Sequence, residues 1–429
     1  MNRAIEPDIK PLEELHIPLP IRKKLPNGIP FTIVQAGTQE VVRIDILFKA
    51  GIWCQSQKLQ ALFTNRMLRE GTSKFSAKVI AERIDFYGAW LELSCGAAYS
   101  CITLYSLSRY FLQTLAILES MIKDPLFDDE RLETVINMNV EQYMTNSDRV
   151  DFIAQRALLN MLLGDTHPYG KITKKEDYTA INSDLLREFF TEHFHTNNCF
   201  IFLSGDANEE TVSQVEAVFG IGEFGLANKD KTISPIHTIT PSTEVKQFIH
   251  KKGACQSAVS LGMPTLKRDH PDFLKFRVVL TLFGGYFSCR LVSNIREDKG
   301  YTYSIGASMM HYPCSSYLII HSECDNKYVR PLIKEVYYEM DRLQEELVSE
   351  AELAKVKNYM IGALCRNYES PFAVADAWMF AFTAEVDDDY FQRSLEAIKA
   401  VTVEEVRDLA NKYLCKEKLK EVVVGENLL

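Results

Sequence analysis

The sequence has few features of a secreted, membrane-bound or nucleic-acid-binding protein. Its ten cysteines include no C-x-x-C pair, and no apolar run approaches the roughly 20 residues of a transmembrane helix. The N-terminus has no apolar segment of signal-peptide length. We therefore expect a cytoplasmic protein with reduced cysteines that does not bind a membrane. Acidic residues outnumber basic ones by 58 to 48, which argues against nucleic acid as a partner.

The composition is that of a soluble globular protein. Hydrophobic residues make up 46% of the chain and charged residues 25%. A length of 429 residues predicts two to four domains, because roughly 150 residues are typical of one. The chain can therefore build large apolar cores, and neither disorder nor a disulfide-stabilised small fold is expected.

One polar segment divides the chain. Residues 227–243 include Pro235 and Pro241 and show no helical period, which indicates an inter-domain linker. The sequence thus predicts an N-terminal domain over residues 1–226 and a C-terminal domain over residues 244–429.

The two domains share a pattern at their ends. Asn182 and Thr402 each open an amphipathic helix, and Thr402 forms a capping box with Glu405. A short apolar strand and a glycine follow each helix, Gly205 in the first case and Gly425 in the second. Both pairs of features are 220 residues apart, which predicts a duplicated unit of about 200 residues.

Each unit is predicted to have an α+β fold. Residues 42–48 alternate apolar and polar side chains, which is typical of a half-buried strand, and a helix with Leu62 and Met67 on one face follows. Strands and helices do not alternate strictly, and no G-x-G-x-x-G or P-loop motif occurs. An antiparallel sheet covered by helices therefore fits better than a Rossmann fold.

Segment 282–308 carries the most specific motif. Two glycines precede a predicted helix, which ends at Lys299 and Gly300, and a strand with tyrosines follows. The pattern resembles the C-terminal domain of the pitrilysin/insulinase-type zinc peptidases, or inverzincins. This family includes the mitochondrial processing peptidase subunits and the core subunits of the respiratory bc1 complex. The matching residues are Gly284, Gly285, Arg296, Glu297, Gly300, Tyr303 and Ser304.

The resemblance extends through the first unit. The family's opening strand corresponds to residues 42–50, its Gly-Thr pair to Gly71 and Thr72, and its next turn to Gly88. A segment H-P-Y-G at residues 167–170 also matches. The resemblance therefore covers nearly the whole chain and implies two homologous units joined by one linker.

The zinc motif of the family is degenerate in this chain. Active members carry H-x-x-E-H before the Gly-Thr pair, and the corresponding residues here include Leu62, Asn65 and Arg66. Leu62 has no lone pair, Asn65 does not titrate near neutral pH, and Arg66 adds a positive charge. The family's third ligand, a Glu about 75 residues later, corresponds to Glu141. We expect no catalytic residue and no metal bound by this chain, because a zinc site needs at least three protein ligands.

Two substrate-binding features of the family are expected to persist. The resemblance implies that Arg296 and Tyr303 hold a peptide near the scissile bond, where the tyrosine hydroxyl donates to the developing oxyanion. The alternative from the residues alone is a surface arginine and a half-buried strand tyrosine. The family also binds peptide along an edge strand by β-augmentation. Its equivalent here is Glu92, Leu93, Ser94 and Cys95.

A lost zinc site with a retained Arg–Tyr pair describes one type of subunit in this family. The resemblance implies a non-catalytic, substrate-binding partner in a heterodimeric zinc endopeptidase that acts on peptides or unfolded segments. Zinc would belong to a homologous partner bearing H-x-x-E-H. The alternative is an inactive structural or peptide-binding homologue, a homodimer or scaffold with no active partner. An enzyme with another mechanism is the third hypothesis, although no Ser/His/Asp or Cys/His motif supports it.

Overall fold

The structure is a computed structural model that describes residues 17–225 and 237–426. The first half contributes β1 (Ile21–Lys24), β2 (Pro30–Gln35), β3 (Val41–Phe48), β4 (Trp90–Cys95), β5 (Ser100–Leu107) and β6 (Cys199–Gly205). The second half contributes β7 (Lys246–His250), β8 (Gln256–Pro264), β9 (Thr302–Tyr312), β10 (Ser315–Asp325) and β11 (Lys420–Gly425).

Fourteen α-helices accompany these strands in the described residues. The first half contains α1 (Gln60–Met67), α2 (Ala77–Phe86), α3 (Phe111–Lys123), α4 (Asp129–Ser147), α5 (Val150–Leu163), α6 (Lys175–Thr179), α7 (Ser183–His193) and α8 (Glu209–Phe219). The second half contains α9 (Phe273–Leu280), α10 (Val329–Glu345), α11 (Glu350–Arg366), α12 (Pro371–Thr383), α13 (Tyr390–Ala400) and α14 (Val403–Tyr413). Two π-helical segments, Thr281–Gly285 and Val292–Asp298, lie between α9 and β9.

The two sheets share a five-strand topology, to which the first sheet adds β1 at one edge. The strand order is β1-β2-β6-β3-β5-β4 in the first sheet and β7-β11-β8-β10-β9 in the second. Only β2 with β6 and β7 with β11 pair in parallel, and the remaining pairs are antiparallel. The predicted α+β fold with a duplicated unit is therefore confirmed, with one parallel pair at the equivalent place in each sheet.

The predicted helix caps explain why the repeated helices begin where they do. The side chain of Asn182 accepts a hydrogen bond from Leu185 N at the start of α7. Thr402 and Glu405 form the expected capping box at the start of α14. Each cap satisfies backbone N–H groups that the helix itself leaves unpaired. The strand that follows each helix, β6 or β11, then enters the centre of its sheet.

The two halves of the chain exchange one helix. α5 comes from the first half but packs on the second sheet, where Leu158 and Leu162 share a core with Val422 and Val424. α12 comes from the second half and covers β2, β3 and β6 of the first sheet, where its core residues are Val374, Ala375, Trp378 and Ala381. Each half therefore completes the hydrophobic core of the other.

The predicted linker over residues 227–243 falls partly outside the described residues, which omit 227–236. Residues 237–243 run beside the end of α5, and Thr240 N donates to Leu163 O at 3.0 Å. The predicted domain boundaries remain a prediction.

A helix that crosses a membrane must be both long and apolar. Among the described helices, none combines the length and the apolarity needed to cross a bilayer. All ten cysteines fall in the described part of the chain, and each one is free.

Candidate functional site

α1 carries the degenerate zinc motif and packs as a core helix. Phe63 and Met67 are buried in the core of the first unit, and Leu62 is half-buried at the helix surface. The position of the family's catalytic glutamate holds Asn65, which is 1% exposed. The helix is therefore held by apolar contacts, and no bound ion is needed to explain its place in the fold.

Asn65 has an unusual environment for a buried amide. Neither its oxygen nor its nitrogen has a hydrogen-bond partner in the described residues. Burying an unpaired polar group costs about 1–3 kcal/mol. The neighbouring Thr64 is also buried, but its hydroxyl donates to Gln60 O at 2.8 Å. Asn65 is thus a local source of instability on a helix that is otherwise well packed.

Arg66 replaces the second zinc-binding histidine of the family. Its guanidinium is half-buried and forms no ion pair or hydrogen bond with a described residue. Burial lowers its pKa, and the nearby Tyr178 and Cys95 counteract this effect. Burial in turn raises the pKa of the Cys95 thiol to about 11. The positive side chain thus occupies the place where an active family member needs neutral ligands for a cation.

The face of α4 that contacts α6 does not supply a carboxylate near Tyr143. Tyr143 is half-buried, and its ring lies 5.4 Å from that of Tyr178 in α6. Tyr143 therefore lies on the inner face of α4. Glu141 is exposed and lies two positions away, on the other side of the helix. Asn139 lies four positions before Tyr143, shares its face and donates to Val135 O at 2.6 Å. The placement of Glu141 gives no support to its predicted role as a remnant ligand, whereas the inward position holds an amide.

The residues around α1 do not fit a zinc ion. A cavity of about 400 Å³ borders Leu62 and Cys95 and is closed by Arg156, Tyr169 and Tyr312. Within residues 17–225 and 237–426, no group of three or more His, Cys, Asp or Glu side chains could hold a metal. Arginine and leucine offer no lone pair to a cation, so no hydrolytic step can be assigned to this chain's own α1.

Among the described residues, the histidines do not form a displaced metal site. His167 is buried, and its Nδ1 accepts a hydrogen bond from Tyr169 N at 3.3 Å. His195 is buried with Nδ1 unpartnered, and the ring of His193 contacts that of Phe189. These three histidines therefore pack within the protein, and their positions are explained without a metal ligand role.

The predicted substrate strand is β4, the edge strand of the first sheet. Among the described strands it pairs only with β5, so its other side has no strand partner there. Leu91, Leu93 and Cys95 pack against the core, whereas Glu92 and Ser94 point outwards. These two side chains line a cavity of about 460 Å³ beneath α12. Sequence and structure therefore agree on an accessible edge strand at these residues.

The Arg–Tyr pair lies at the edge of the second sheet. The Arg296 guanidinium carbon is 4.8 Å from the ring centroid of Tyr303 and 4.9 Å from that of Phe287. Tyr303 is 84% exposed, and its hydroxyl makes no hydrogen bond with a described residue. A guanidinium between two aromatic rings is held by cation–π attraction and stacking. The sequence analysis did not predict that Phe287 takes part in this stack. The available signal was its place close after Gly284 and Gly285 in the same motif.

The Arg–Tyr pair and the degenerate helix lie far apart within this chain. β9 runs from near Tyr303 to Tyr312, which stacks on Tyr169 beside the cavity at Leu62. Nine residues of extended strand span about 30 Å. The structure therefore does not bring Arg296 and Tyr303 together with the motif positions of the same chain.

Comparison with protein families supports the resemblance inferred from the sequence. Residues 180–360 match the family model described as the peptidase M16 inactive domain. This stretch contains the Arg–Tyr segment and the whole of the second sheet except its last strand, β11.

Curated relatives and solved structures extend the similarity to most of the chain. The zinc protease YmxG of Bacillus subtilis, named as uncharacterized, is 24% identical over 80% of this chain and 83% of its own length. The non-peptidase homolog YmxG of Helicobacter pylori is 23% identical over 80% of this chain and 79% of its own length. The crystal structure of a peptidase M16 inactive domain from Pseudomonas fluorescens is 21% identical. It covers 95% of this chain and 98% of its own with a TM-score of 0.83. The chain is therefore a homologue of M16-family proteases with an altered zinc motif.

Proposed function

We propose that this chain is the non-catalytic, substrate-binding subunit of a heterodimeric zinc endopeptidase of the pitrilysin/insulinase type. Its substrates would be peptides or unfolded segments. The observation that carries the proposal is the stack of the half-buried Arg296 on the exposed Tyr303, whose hydroxyl has no hydrogen-bond partner among the described residues.

The geometry of the pair favours action on another polypeptide. Tyr303 lies about 30 Å along β9 from the region of α1. A catalytic tyrosine must lie within hydrogen-bond distance of the developing oxyanion. Tyr303 can meet that requirement only if a zinc-bearing helix approaches the edge of the second sheet from outside the chain.

The chemistry expected of the pair follows from its side chains. The Arg296 fork can donate to a peptide carbonyl while its face remains stacked on Tyr303 and Phe287. The stack fixes the direction of the guanidinium, so less conformational entropy is lost when substrate binds. The free hydroxyl of Tyr303 can then donate to the oxygen of the scissile carbonyl.

The edge strand β4 is the proposed place for the peptide backbone. Its unpaired side offers N–H and C=O groups in the repeat that an added strand needs. Glu92 and Ser94 line the adjoining cavity and would tune which side chains are accepted. The peptide would then run past this strand towards the half-site of the partner.

The proposal implies a homologous partner that carries H-x-x-E-H and holds the zinc. This chain itself would bind no cofactor, and its arginine and leucine at the motif positions agree with that division. The cytoplasmic location remains a prediction.

The second candidate is an inactive homologue that forms a homodimer or scaffold without an active partner. The name of the Helicobacter pylori relative, a non-peptidase homolog, favours this reading for at least one similar protein. Under this hypothesis the Arg–Tyr pair is a surface stack with no role in hydrolysis.

Purification of the chain from its native host, followed by mass spectrometry, separates the two candidates. A stoichiometric partner of similar size with an H-x-x-E-H motif is the expected result. Recovery of the chain alone, or only with a second copy of itself and without zinc or peptidase activity, would favour the scaffold instead.

A further inference from the structure

A third cavity lies in the C-terminal half, away from both α1 and the Arg–Tyr pair. Its volume is about 610 Å³, which falls in the range typical of small-ligand sites. It lies between α9, β9, α12 and α13, and its walls combine polar and apolar surface in similar amounts. The apolar and aromatic part of the wall includes Phe273, Leu280, Met309, Tyr368, Phe380 and Phe391.

The charges at this cavity are strongly unbalanced. Arg268, Arg277 and Arg366 line it, and the only carboxylate among the lining residues is that of Asp376. This carboxylate is already paired with Arg43 of the first sheet, at 2.7 Å. The cavity therefore has a positive potential with no counter-charge of its own.

Two of these arginines are half-buried and have donors to spare. Arg268 stacks over the ring of Phe380 at 5.0 Å and forms no ion pair with a described residue. Arg277 donates through one guanidinium nitrogen to Ser394 Oγ at 3.2 Å, and it too has no carboxylate partner in the described chain. A guanidinium carries five N–H donors, so most donors of both side chains are unused.

The titration of neighbouring groups agrees with this concentration of positive charge. His311 lines the same cavity, and its pKa is lowered to about 4 by burial and by the charges of Arg268 and Arg277. Burial lowers the pKa of Arg268. The charge of Arg277 lowers it further, whereas Tyr390 has the opposite effect. An anion between the two guanidinium groups would relieve this repulsion.

We propose that this cavity binds a carboxylate carried on an apolar body, with the carboxylate between Arg268 and Arg277 and the apolar part against the aromatic walls. The guanidinium fork matches the two oxygens of a carboxylate, and the walls exclude a larger polar group. Two sources share this chemistry: the free C-terminal residue of a peptide and a free organic acid of medium chain length. The inference does not depend on the proposed role of Arg296 and Tyr303.

Calorimetric titration of the full chain tests the proposal with defined probes. The probes are acetyl-Ala-Ala-Leu with a free carboxylate, the same peptide as its C-terminal amide, decanoate and inorganic phosphate. We expect one or both carboxylates to bind at a single site, and the amide to bind at least about tenfold more weakly than the acid peptide. Binding of the acid peptide identifies a peptide terminus as the source, and binding of decanoate alone identifies a free acid. Binding of phosphate alone, or of no probe, would overturn the proposal.

Variants assign the binding to the cavity. Arg268→Gln and Arg277→Gln are each expected to weaken carboxylate binding by about tenfold or more, whereas Arg277→Lys retains the charge and loses less. Arg156→Gln is the matched control, because Arg156 is also half-buried, stacks on Phe152 at 4.8 Å and lies outside this cavity. Thermal unfolding checks that each variant is folded. Equal binding by the wild type and both glutamine variants, or equal loss in Arg156→Gln, would contradict the assignment.

Discussion

The guanidinium of Arg296 stacks on the ring of Tyr303 at 4.8 Å, at the start of the edge strand of the second sheet. The equivalent edge strand of the first sheet, β4, also begins with an exposed aromatic residue, Trp90, which is 66% exposed. The duplication thus presents an accessible edge with an aromatic side chain in both units. Among the described residues at these two strand starts, only Tyr303 stacks with a cation, and the proposed half-site uses this pair.

Replacing Asn65 by leucine is expected to stabilise the protein by about 1–3 kcal/mol. The amide is buried without a partner among the described residues, and a leucine has the same branching at Cγ but no polar atoms to desolvate. The free energy of unfolding in urea measures the change.

Thr64→Val is the matched control for this variant. Thr64 lies on the same helix and is equally buried, but its hydroxyl is hydrogen-bonded, so its replacement should be destabilising by about 0.5–1.5 kcal/mol. A loss of stability in Asn65→Leu would mean that the amide has a partner outside the described protein atoms.

Restoring the zinc motif alone is not expected to restore zinc binding. The triple variant Leu62→His, Asn65→Glu, Arg66→His provides two histidine ligands, but the third position on α4 remains unfilled. Because Asn139 shares the inward face with Tyr143, adding Asn139→Glu to the triple variant is expected to give one zinc per chain. Metal analysis after dialysis measures the ratio.

The exposed Glu141 serves as the internal control for this series. Adding Glu141→Gln to the quadruple variant should leave its zinc content unchanged, because this side chain faces the other side of α4. Stoichiometric zinc in the triple variant, lost on adding Glu141→Gln, would instead establish Glu141 as the third ligand.

His167 is expected to make the protein less stable in mild acid. Its pKa is lowered from 6.5 to about 4, mainly by burial and secondarily by His237. Between these two values the unfolded chain binds a proton that the folded chain does not. The stability contributed by the neutral ring is therefore complete above pH 6.5 and declines as the pH falls towards 4.

The His167→Gln variant isolates this contribution, because its side-chain oxygen can replace Nδ1 as the acceptor for Tyr169 N. The drop in unfolding free energy from pH 7.5 to pH 4.5 should be smaller in this variant than in the wild type. His321→Gln, at an exposed position on β10, should behave like the wild type. Equal drops in all three proteins would show that His167 does not titrate differently on folding.

The repeated architecture was predictable because it rests on local signals. The caps at Asn182 and Thr402 and the glycines 205 and 425 are short-range features that recur at one spacing, and each lies where the sequence predicts. Residues 42–48 form the predicted strand, but the prediction that it is half-buried was wrong. Both faces of β3 are covered, because α12 packs on the outer side.

The exchanged helices could not be predicted from the sequence, because the strands that they cover are distant in the chain. The polar alternation in β3 reflects a buried cluster rather than solvent. Arg43 pairs with Asp45 at 2.8 Å in the same strand and with Asp376 of α12 at 2.7 Å. Charged residues inside such a strand indicate a partner, but the sequence does not say which element provides it.

The positions of site residues within one continuous motif follow from the sequence, whereas positions assigned by a residue count depend on how a helix packs. Arg296 and Tyr303 lie within one short segment, and the structure brings them into contact. Glu141 was assigned by counting residues from Arg66, whereas the face of α4 depends on how that helix rotates against its neighbours. The structure shows Asn139 on the inner face, which a count along the chain does not reveal.

The measurement that tests the central claim most directly is kcat/KM for peptide cleavage by the pair reconstituted from this chain and its zinc-bearing partner. Tyr303→Phe should lower kcat/KM by about 100-fold to 1,000-fold, the usual effect of losing one oxyanion donor, while the complex stays assembled. Tyr338→Phe, at an exposed tyrosine of α10, should have no effect. An unchanged kcat/KM for Tyr303→Phe in a folded complex would contradict the assigned role.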